Sequence, residues 1–580
     1  SLAPVHAHLE LSHMTPYAAH RKEASMTPRK FRPSVAQLSL QCLVAALAIG
    51  HAGVAGSAPA QQPLFKKAGG SVAPNLFYTL DDSGSMGWTY APSSTAVWAG
   101  EANSRYPVMH PIDRSSSTGL APSNGTACVV KTPTPSANPT TQDRAAMRLR
   151  SPDVNKIYYN PGIRYQPWAR PNVTDSNFGN SSFTAAPVDP RRIYNATDGV
   201  AGTVNLNTAI TNSTSYTWCT NNSSQSAAYN MYPASYYRLS SGSVASNNDL
   251  YTWVRLDSGG SPPSDFPKSE KRIDCVAITG RCSLAEERVN FANWYTYYRT
   301  RSLLARGATS LAFSKIDQKV RVGYGQLNNG GSATEAGKSY PNVTRGVRDF
   351  GANTTTRTQF FNWLYKVPYA SGTPLRVAMD NVGKYFTATS TTGPWGADPG
   401  TTAGVDTPTA YQSMASCRRS YHIMMTDGYW NGNAASTAGA AGNSDNNSGP
   451  LIEKNEDGRK YQYDPSFTNG INTTKSPYRD SYSGTLADVA HYYWSRDLHP
   501  GLNNNIRSAI RAEDKLKADK PYYDAAEKID RLDHAFWQHL TTYTVGLGVT
   551  GTITDTTTSP PSVSWPQPVA DGATAVDDLF

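Results

Sequence analysis

At 580 residues the chain is long enough to bury a large core and to hold two to four domains. Only 17% of it is charged, while Tyr (34), Gly (45) and Pro (39) are plentiful, a composition that favours an extracellular, loop-rich protein over a cytosolic enzyme. The net charge of +9 includes +3 within the first 60 residues and is spread thinly elsewhere, so the basic stripe that nucleic-acid binding requires is absent.

Residues 1–25 carry no pattern and read as an upstream segment without function. Residues 26–60 read as an export signal. Met26 opens a basic stretch (Arg29, Lys30, Arg32), an apolar run follows from Leu38 to Ile49, and Ala58-Pro59-Ala60 offers a cleavage site. That run is too short to span a bilayer comfortably, and no other segment approaches 18 apolar residues, so no stable membrane span is expected. Removal of the signal takes Cys42 with it. Cys128, Cys219, Cys275, Cys282 and Cys417 remain, and Cys275 with Cys282 is the expected local disulfide of an exported protein.

Residues 61–549 read as one α/β domain interrupted by insertions at about 88–282 and 431–480. The apolar run Leu76-Phe77-Tyr78-Thr79-Leu80 predicts a buried strand, and it ends in Asp81-Asp82-Ser83-Gly84-Ser85. From Trp88 to Cys282 the chain is rich in Ser, Thr, Asn and Pro, with aromatic islands and no helical period of useful length. Nearly 200 such residues predict a subdomain of short strands and turns. Ser283 to Leu304 predicts a helix opened by a Ser283/Glu286 capping box, with Val289, Trp294, Tyr297, Tyr298, Arg301 and Leu304 on one largely apolar face. Lys319–Leu327 alternates as a strand, 360–365 and 373–386 read as helices, and Tyr421–Asp427 is a second apolar run ending in a carboxylate. Thr485–Trp494 predicts another helix, a charged helical stretch starts near 506, and 541–549 reads as a closing strand. Strands alternating with helices predict a mostly parallel sheet flanked by helices. The Thr/Pro-rich residues 550–580 read as a linker toward a further domain.

The spacing Asp81-x-Ser83-x-Ser85 places one carboxylate and two hydroxyls on alternate positions of a tight loop, a donor set for a small hard cation. It resembles the metal-ion-dependent adhesion site of von Willebrand factor type A domains. That resemblance implies a Thr at a loop-to-helix junction, met by Thr373 in Ser371-Gly-Thr-Pro-Leu-Arg376, and an Asp after an apolar strand, met by Asp427 in Met424-Met-Thr-Asp-Gly428. Ser83, Ser85 and Thr373 would touch the ion, and Asp81 and Asp427 would hold it directly or through water. Asp82 reads as a solvated neighbour. Mg²⁺ is the expected ion, with Mn²⁺ and Ca²⁺ as alternatives. Helix capping is the competing job for Thr373 and Asp427.

Several blocks resemble the PilY/PilC family of type IV pilus tip-associated adhesins: 74–86, Tyr158–Gly162 with Tyr165–Trp168, Asn290–Tyr295, Cys417–Asn431, and Thr485–Ala490 with Tyr492–Trp494. The resemblance implies an exported protein of a Gram-negative bacterium, found in the periplasm, at the outer cell surface and at the pilus tip. It implies minor pilins of the tip complex as partners, a host or surface ligand presenting a carboxylate, and roles in pilus assembly, attachment and twitching motility. The family continues into a carboxy-terminal β-propeller with a calcium loop, to which nothing in these 580 residues corresponds. An exported adhesion module with no pilus role is the alternative reading.

Enzyme chemistry is not expected. Gly546-Leu-Gly-Val-Thr-Gly551 matches a dinucleotide fingerprint, but the Thr/Pro-rich sequence after it cannot supply the phosphate-binding helix. No P-loop, His-Glu-x-x-His or Gly-x-Ser-x-Gly occurs. His534 and His539, five apart in a helical stretch, read as surface or partly buried histidines rather than zinc ligands.

Overall fold

The computed structural model describes residues 72–91, 106–114, 127–171, 177–211, 218–219, 230–242, 250–316, 320–328, 332–335, 337–351, 354–369, 372–396, 415–453, 460–466, 479–506, 535–548, 551–552, 566–570, 574–577 and 579, all within the unit Lys67–Phe580. The expected export signal and the charged stretch near 506 lie outside them.

Five strands form the central sheet: β1 (Asn75–Leu80), β2 (Arg321–Gln326), β3 (Arg345–Asp349), β4 (Ser420–Thr426) and β5 (Thr541–Gly546). They lie in the order β3-β2-β1-β4-β5. β2, β1, β4 and β5 run parallel, and β3 pairs antiparallel with β2. This is the expected α/β architecture with a mostly parallel sheet. Leu80 pairs with Gln326 on one side and Met425 on the other, so the strands end flush at one carboxyl edge. Chain order reverses beside β1, which makes that edge a topological switch point, where open α/β sheets keep their ligands.

All six β1 residues are buried because helices cover both faces. Among the described residues, the helices of nine or more residues are, in chain order, α1 (Thr141–Leu149), α2 (Leu284–Tyr297), α3 (Arg301–Ser314), α4 (Thr355–Lys366), α5 (Leu375–Phe386) and α6 (Leu486–Trp494). Tyr78 packs on Phe313 of α3 and on Phe360 and Trp363 of α4. Phe77, one residue earlier and therefore on the opposite face, meets Tyr385 and Phe386 of α5. Its core continues through Met424, Val489 and Tyr493. α5 and α6 approach so closely that a Cβ on Gly383 would lie 2.2 Å from the Tyr493 ring.

Several expectations change. The helix expected over 283–304 is two helices, because the Thr300 hydroxyl accepts the Leu303 N–H at 3.2 Å and caps a new start at Arg301. Val289, expected on its apolar face, is exposed. The first insertion does contain a helix, α1, capped by Thr140 through the Asp143 N–H. The Thr140/Asp143 pair was the available signal.

The described insertion is anchored on α2, whose Asn290-Phe-Ala-Asn-Trp-Tyr295 run binds the aromatic islands. Asn290 Oδ1 accepts the Tyr165 N–H and Asn293 Oδ1 accepts the Ser181 N–H, both at 2.8 Å. Trp294 donates to the Ile157 carbonyl at 2.9 Å. The fully buried Glu287 carboxylate receives Arg272 and the Tyr159 hydroxyl, each at 2.7 Å. Disulfides join Cys275 to Cys282, as expected, and Cys128 to Cys219 across 91 residues, and Cys417 is a free, exposed thiol. Within 550–580, Thr574–Asp577 is helical, with Ala575 in the main core and Asp577 accepting the Thr552 N–H, so this part of the expected linker packs on the domain. His539 precedes β5 in an irregular segment, buried and bonded to the Trp537 carbonyl rather than helical. His534 lies outside the described residues.

Replacing Gly383 with Ala should lower unfolding stability by about 1–3 kcal/mol through overpacking. Gly179→Ala, whose Cβ meets nothing within 4 Å, should leave it unchanged in the same denaturant titration.

Candidate metal centre

The sheet's carboxyl edge gathers the loops that carry all five expected site residues. After β1 the chain turns through Ser83 into a 3-10 turn at Gly84–Gly87, which brings Ser83 Oγ and Ser85 Oγ to 3.1 Å. The Asp81 N–H donates to the Met425 carbonyl at 2.9 Å, extending the β1–β4 ladder by one residue. Asp427 follows directly after β4. Thr373 precedes α5, whose N-cap is Pro374.

Asn328 and Asn431, neither of them anticipated as site residues, stitch these loops together. Asn328 donates its backbone N–H and its Nδ2 to Asp82 Oδ1, both at 3.0 Å, and Nδ2 also donates to the Gly372 carbonyl at 2.6 Å. Asn431 Oδ1 accepts the Thr373 N–H at 2.8 Å, and the Asn431 N–H returns to the Thr373 carbonyl at 3.0 Å. Asp82 is therefore not the solvated neighbour expected. It is buried, and Gln326 Nε2 donates to its second oxygen at 2.9 Å. Asn431 closed a recognised sequence block, but nothing in the local sequence marked Asn328.

Asp81, Ser83, Thr373 and Asp427 are all buried, and Ser85 is half-buried. Asp81 Oδ1 accepts the Ser83 N–H and Oδ2 accepts the Thr426 hydroxyl, both at 2.7 Å. Thr426 Oγ1 in turn accepts the Gly428 N–H at 3.0 Å, which fixes the turn after β4. Burial, and then the Asp427 carboxylate, push Asp81 up to about 7. Asp427 Oδ2 accepts Arg301 Nη1 at 2.8 Å, in an ion pair with both side chains buried. Its Oδ1 is buried with no partner. Arg301, read from sequence only as part of a helix face, also donates to the Tyr90 and Ala91 carbonyls and lies over the Trp88 ring at 4.9 Å.

Helix capping does not account for Thr373 or Asp427. No helix among the described residues starts between Asp427 and Thr485, and Thr373 contributes its carbonyl, rather than a capping side chain, to the Leu375 N–H at 2.9 Å. The residues fit a hard cation: two carboxylates and three hydroxyls on loops tied to each other, with an orphaned carboxylate oxygen on Asp427. Among the described residues, no group of three or more His, Cys, Asp or Glu that could hold a metal occurs, so an ion here depends on the hydroxyls. The Gly546–Gly551 fingerprint starts at the end of β5 with Gly548 at φ +68°, and residues 551–552, described at its end, are not helical.

No family model matches the chain, and no solved structure does. Curated relatives do. The chain is 31% identical over 504 residues to the type IV pilus biogenesis factor PilY1 of Pseudomonas aeruginosa strain PAK, an alignment covering 85% of this chain and 33% of that protein. For PilY1 of strain PAO1 the identity is 31% over 503 residues, with the same coverage. For PilY1 of strain UCBPP-PA14 it is 30% over 504 residues, covering 85% and 32%. Over the matched span this chain belongs to the PilY1 family. It spans about a third of the length of these curated relatives.

The raised Asp81 carboxyl gives a signed pH effect. Between its unfolded value of 3.8 and about 7, the folded chain holds a proton that the unfolded chain has lost. This group's contribution to cation-free stability therefore falls as pH rises through that window. In chelator, the melting temperature of Asp81→Asn should gain on that of the wild type from pH about 4.5 to about 7.5. Parallel melting profiles would count against the assignment.

Proposed function

We propose that this chain is the cation-dependent, partner-binding module of an exported type IV pilus biogenesis factor, built on a von Willebrand factor type A-like domain. The observation that carries the reading is the joining of three loops, through Asn328 and Asn431, at the switch-point edge of a sheet whose sequence is PilY1-like. The strand order and the ligand order along the chain, Asp81-x-Ser83-x-Ser85, then Thr373, then Asp427, support the type A reading. Mg²⁺ fits the donor set best, with Mn²⁺ or Ca²⁺ as alternatives. The ion would supply an electrophilic position at which a partner's Asp or Glu completes the coordination shell.

The chain's own residues do the rest. Ser83, Ser85 and Thr373 offer neutral oxygens, which leave the ion its charge. Asp427 offers its unpaired Oδ1. Asp81, with both oxygens already hydrogen-bonded, holds the site through water or after exchange of those bonds. This is binding chemistry without turnover, and it suits minor pilins of the tip complex or a carboxylate-presenting surface ligand as partners. The proposed setting is the periplasm, outer surface and pilus tip, with roles in pilus assembly, attachment and twitching. No helix among the described residues is long and apolar enough to cross a membrane.

Thermal unfolding of the chain against Mg²⁺, Mn²⁺ and Ca²⁺ tests the site. A cation at a hundredfold excess over its dissociation constant should stabilise the wild type by about 2.7 kcal/mol. Asp81→Ala and Ser83→Ala should lose the Mg²⁺ response. Equal shifts in all three proteins would remove the metal assignment.

In cells, the same variants should reduce both surface piliation and adherence. Normal pili on non-adherent cells would instead favour adhesion without a role in assembly.

A further inference from the structure

A second set of carboxylates lies in the second insertion, where the loop 442–449 folds over the start of α6. Asp445 is 3% exposed and its Oδ1 has no partner, while Oδ2 accepts the Asp480 N–H at 3.1 Å. Asp480 is half-buried, and one of its oxygens accepts the Tyr482 N–H at 2.7 Å. Asp488, in the first turn of α6, has both oxygens engaged: Oδ1 by the Ser444 N–H at 2.6 Å, Oδ2 by the Thr485 N–H and hydroxyl, each at 3.0 Å.

The cluster lacks a counter-charge. Among the described residues no lysine or arginine is ion-paired with any of the three, and neighbouring Arg479 donates to the Pro465 carbonyl instead. Burial, and then the Asp480 and Asp488 carboxylates, push Asp445 up to about 8. Burial also raises Asp480 and Asp488. His491, whose Nδ1 lies 3.0 Å from Ser444 Oγ, brings no charge, since burial holds it down at about 3. A buried carboxylate that faces other carboxylates and carries an orphaned oxygen is costly unless a proton or a cation joins it.

We propose that Asp445 and Asp480 form a second cation site, distinct from the centre at Asp81 and suited to Ca²⁺. Each carboxylate brings one oxygen not engaged by a backbone N–H. Asp488 acts from behind, through its field and by holding Ser444. Among the described residues, no three acidic side chains converge here tightly enough to hold an ion by themselves. The shell is therefore completed by neutral oxygens of the irregular 443–449 loop and by water. Ca²⁺ accepts such a flexible, mixed oxygen shell, whereas Mg²⁺ demands near-octahedral geometry. The site ties the second insertion to α6, and α6 packs against α5, the helix that follows Thr373.

Calorimetric titration of the 580-residue chain with Ca²⁺ tests this, using wild type, Asp81→Ala, Asp445→Asn and Asp480→Asn. Asp445→Asn and Asp480→Asn should each lose one Ca²⁺ equivalent or weaken it at least tenfold, while Asp81→Ala retains that equivalent. Asp445→Asn should also melt higher than the wild type in chelator, because the substitution removes the repulsion. The half-exposed Asp480→Asn keeps the test decisive if Asp445→Asn fails to fold. Unchanged Ca²⁺ stoichiometry and affinity in the aspartate-to-asparagine variants would overturn the site. Loss of the equivalent in them, beside an Asp81→Ala protein that binds all cations normally, would uphold it while removing the Asp81 centre.

Discussion

A buried strand that ends in two adjacent carboxylates must find partners for both, because an unpaired charge in the interior costs more than a fold can usually bear. Asp81 and Asp82 meet that constraint in different directions. Asp82 takes its hydrogen bonds from Gln326 and Asn328, at and just beyond the end of β2, and through Asn328 binds the loop before α5. Asp81 takes the Thr426 hydroxyl from β4. The three strands at the switch point are thus pinned at their carboxyl ends by the acidic pair itself. Removing either acid would loosen the alignment that brings the Ser83, Thr373 and Asp427 loops to one edge.

Arg301 extends the same logic into the first insertion. Its guanidinium neutralises one oxygen of Asp427 and is held by carbonyls and rings from the segment just after the Ser83 loop. The break between α2 and α3 places this arginine in the first turn of a new helix. A continuous helix from 283 would carry residue 301 on the face that α2 presents to the insertion. The helix break and the site's electrostatics are therefore one feature.

Much of this was legible in local sequence, and what was not had a physical reason. β1, β2, β4 and β5 are apolar or alternating runs, so their existence and succession along the chain could be read directly. Ser83, Ser85 and Thr373 follow a spacing that reports the geometry of one loop at a time. Asn328, Asn431, Arg301 and Thr426 act across 44 to 345 residues of chain in the bonds they make here, except where they touch a neighbour in sequence. No spacing rule reaches that far. The burial of Asp82 escaped for the same reason, since a second Asp in a Ser/Gly loop looks solvated until its partners on another strand are known. The α1 helix was missed because its nine residues sit in a long stretch rich in Ser, Thr, Asn and Pro, although its Thr140 cap was visible.

The Cys128–Cys219 bridge closes a loop of 91 residues inside the first insertion. Drawn straight, that much chain would reach about 300 Å. With the bridge intact, a tensile force applied at the two ends of the insertion cannot pay out this slack, whatever happens to the hydrogen bonds and ring contacts within it. Under load the bridge therefore acts as a mechanical stop, and it keeps the distance between the Ser83 loop and α2 from depending on how firmly the middle of the insertion is folded.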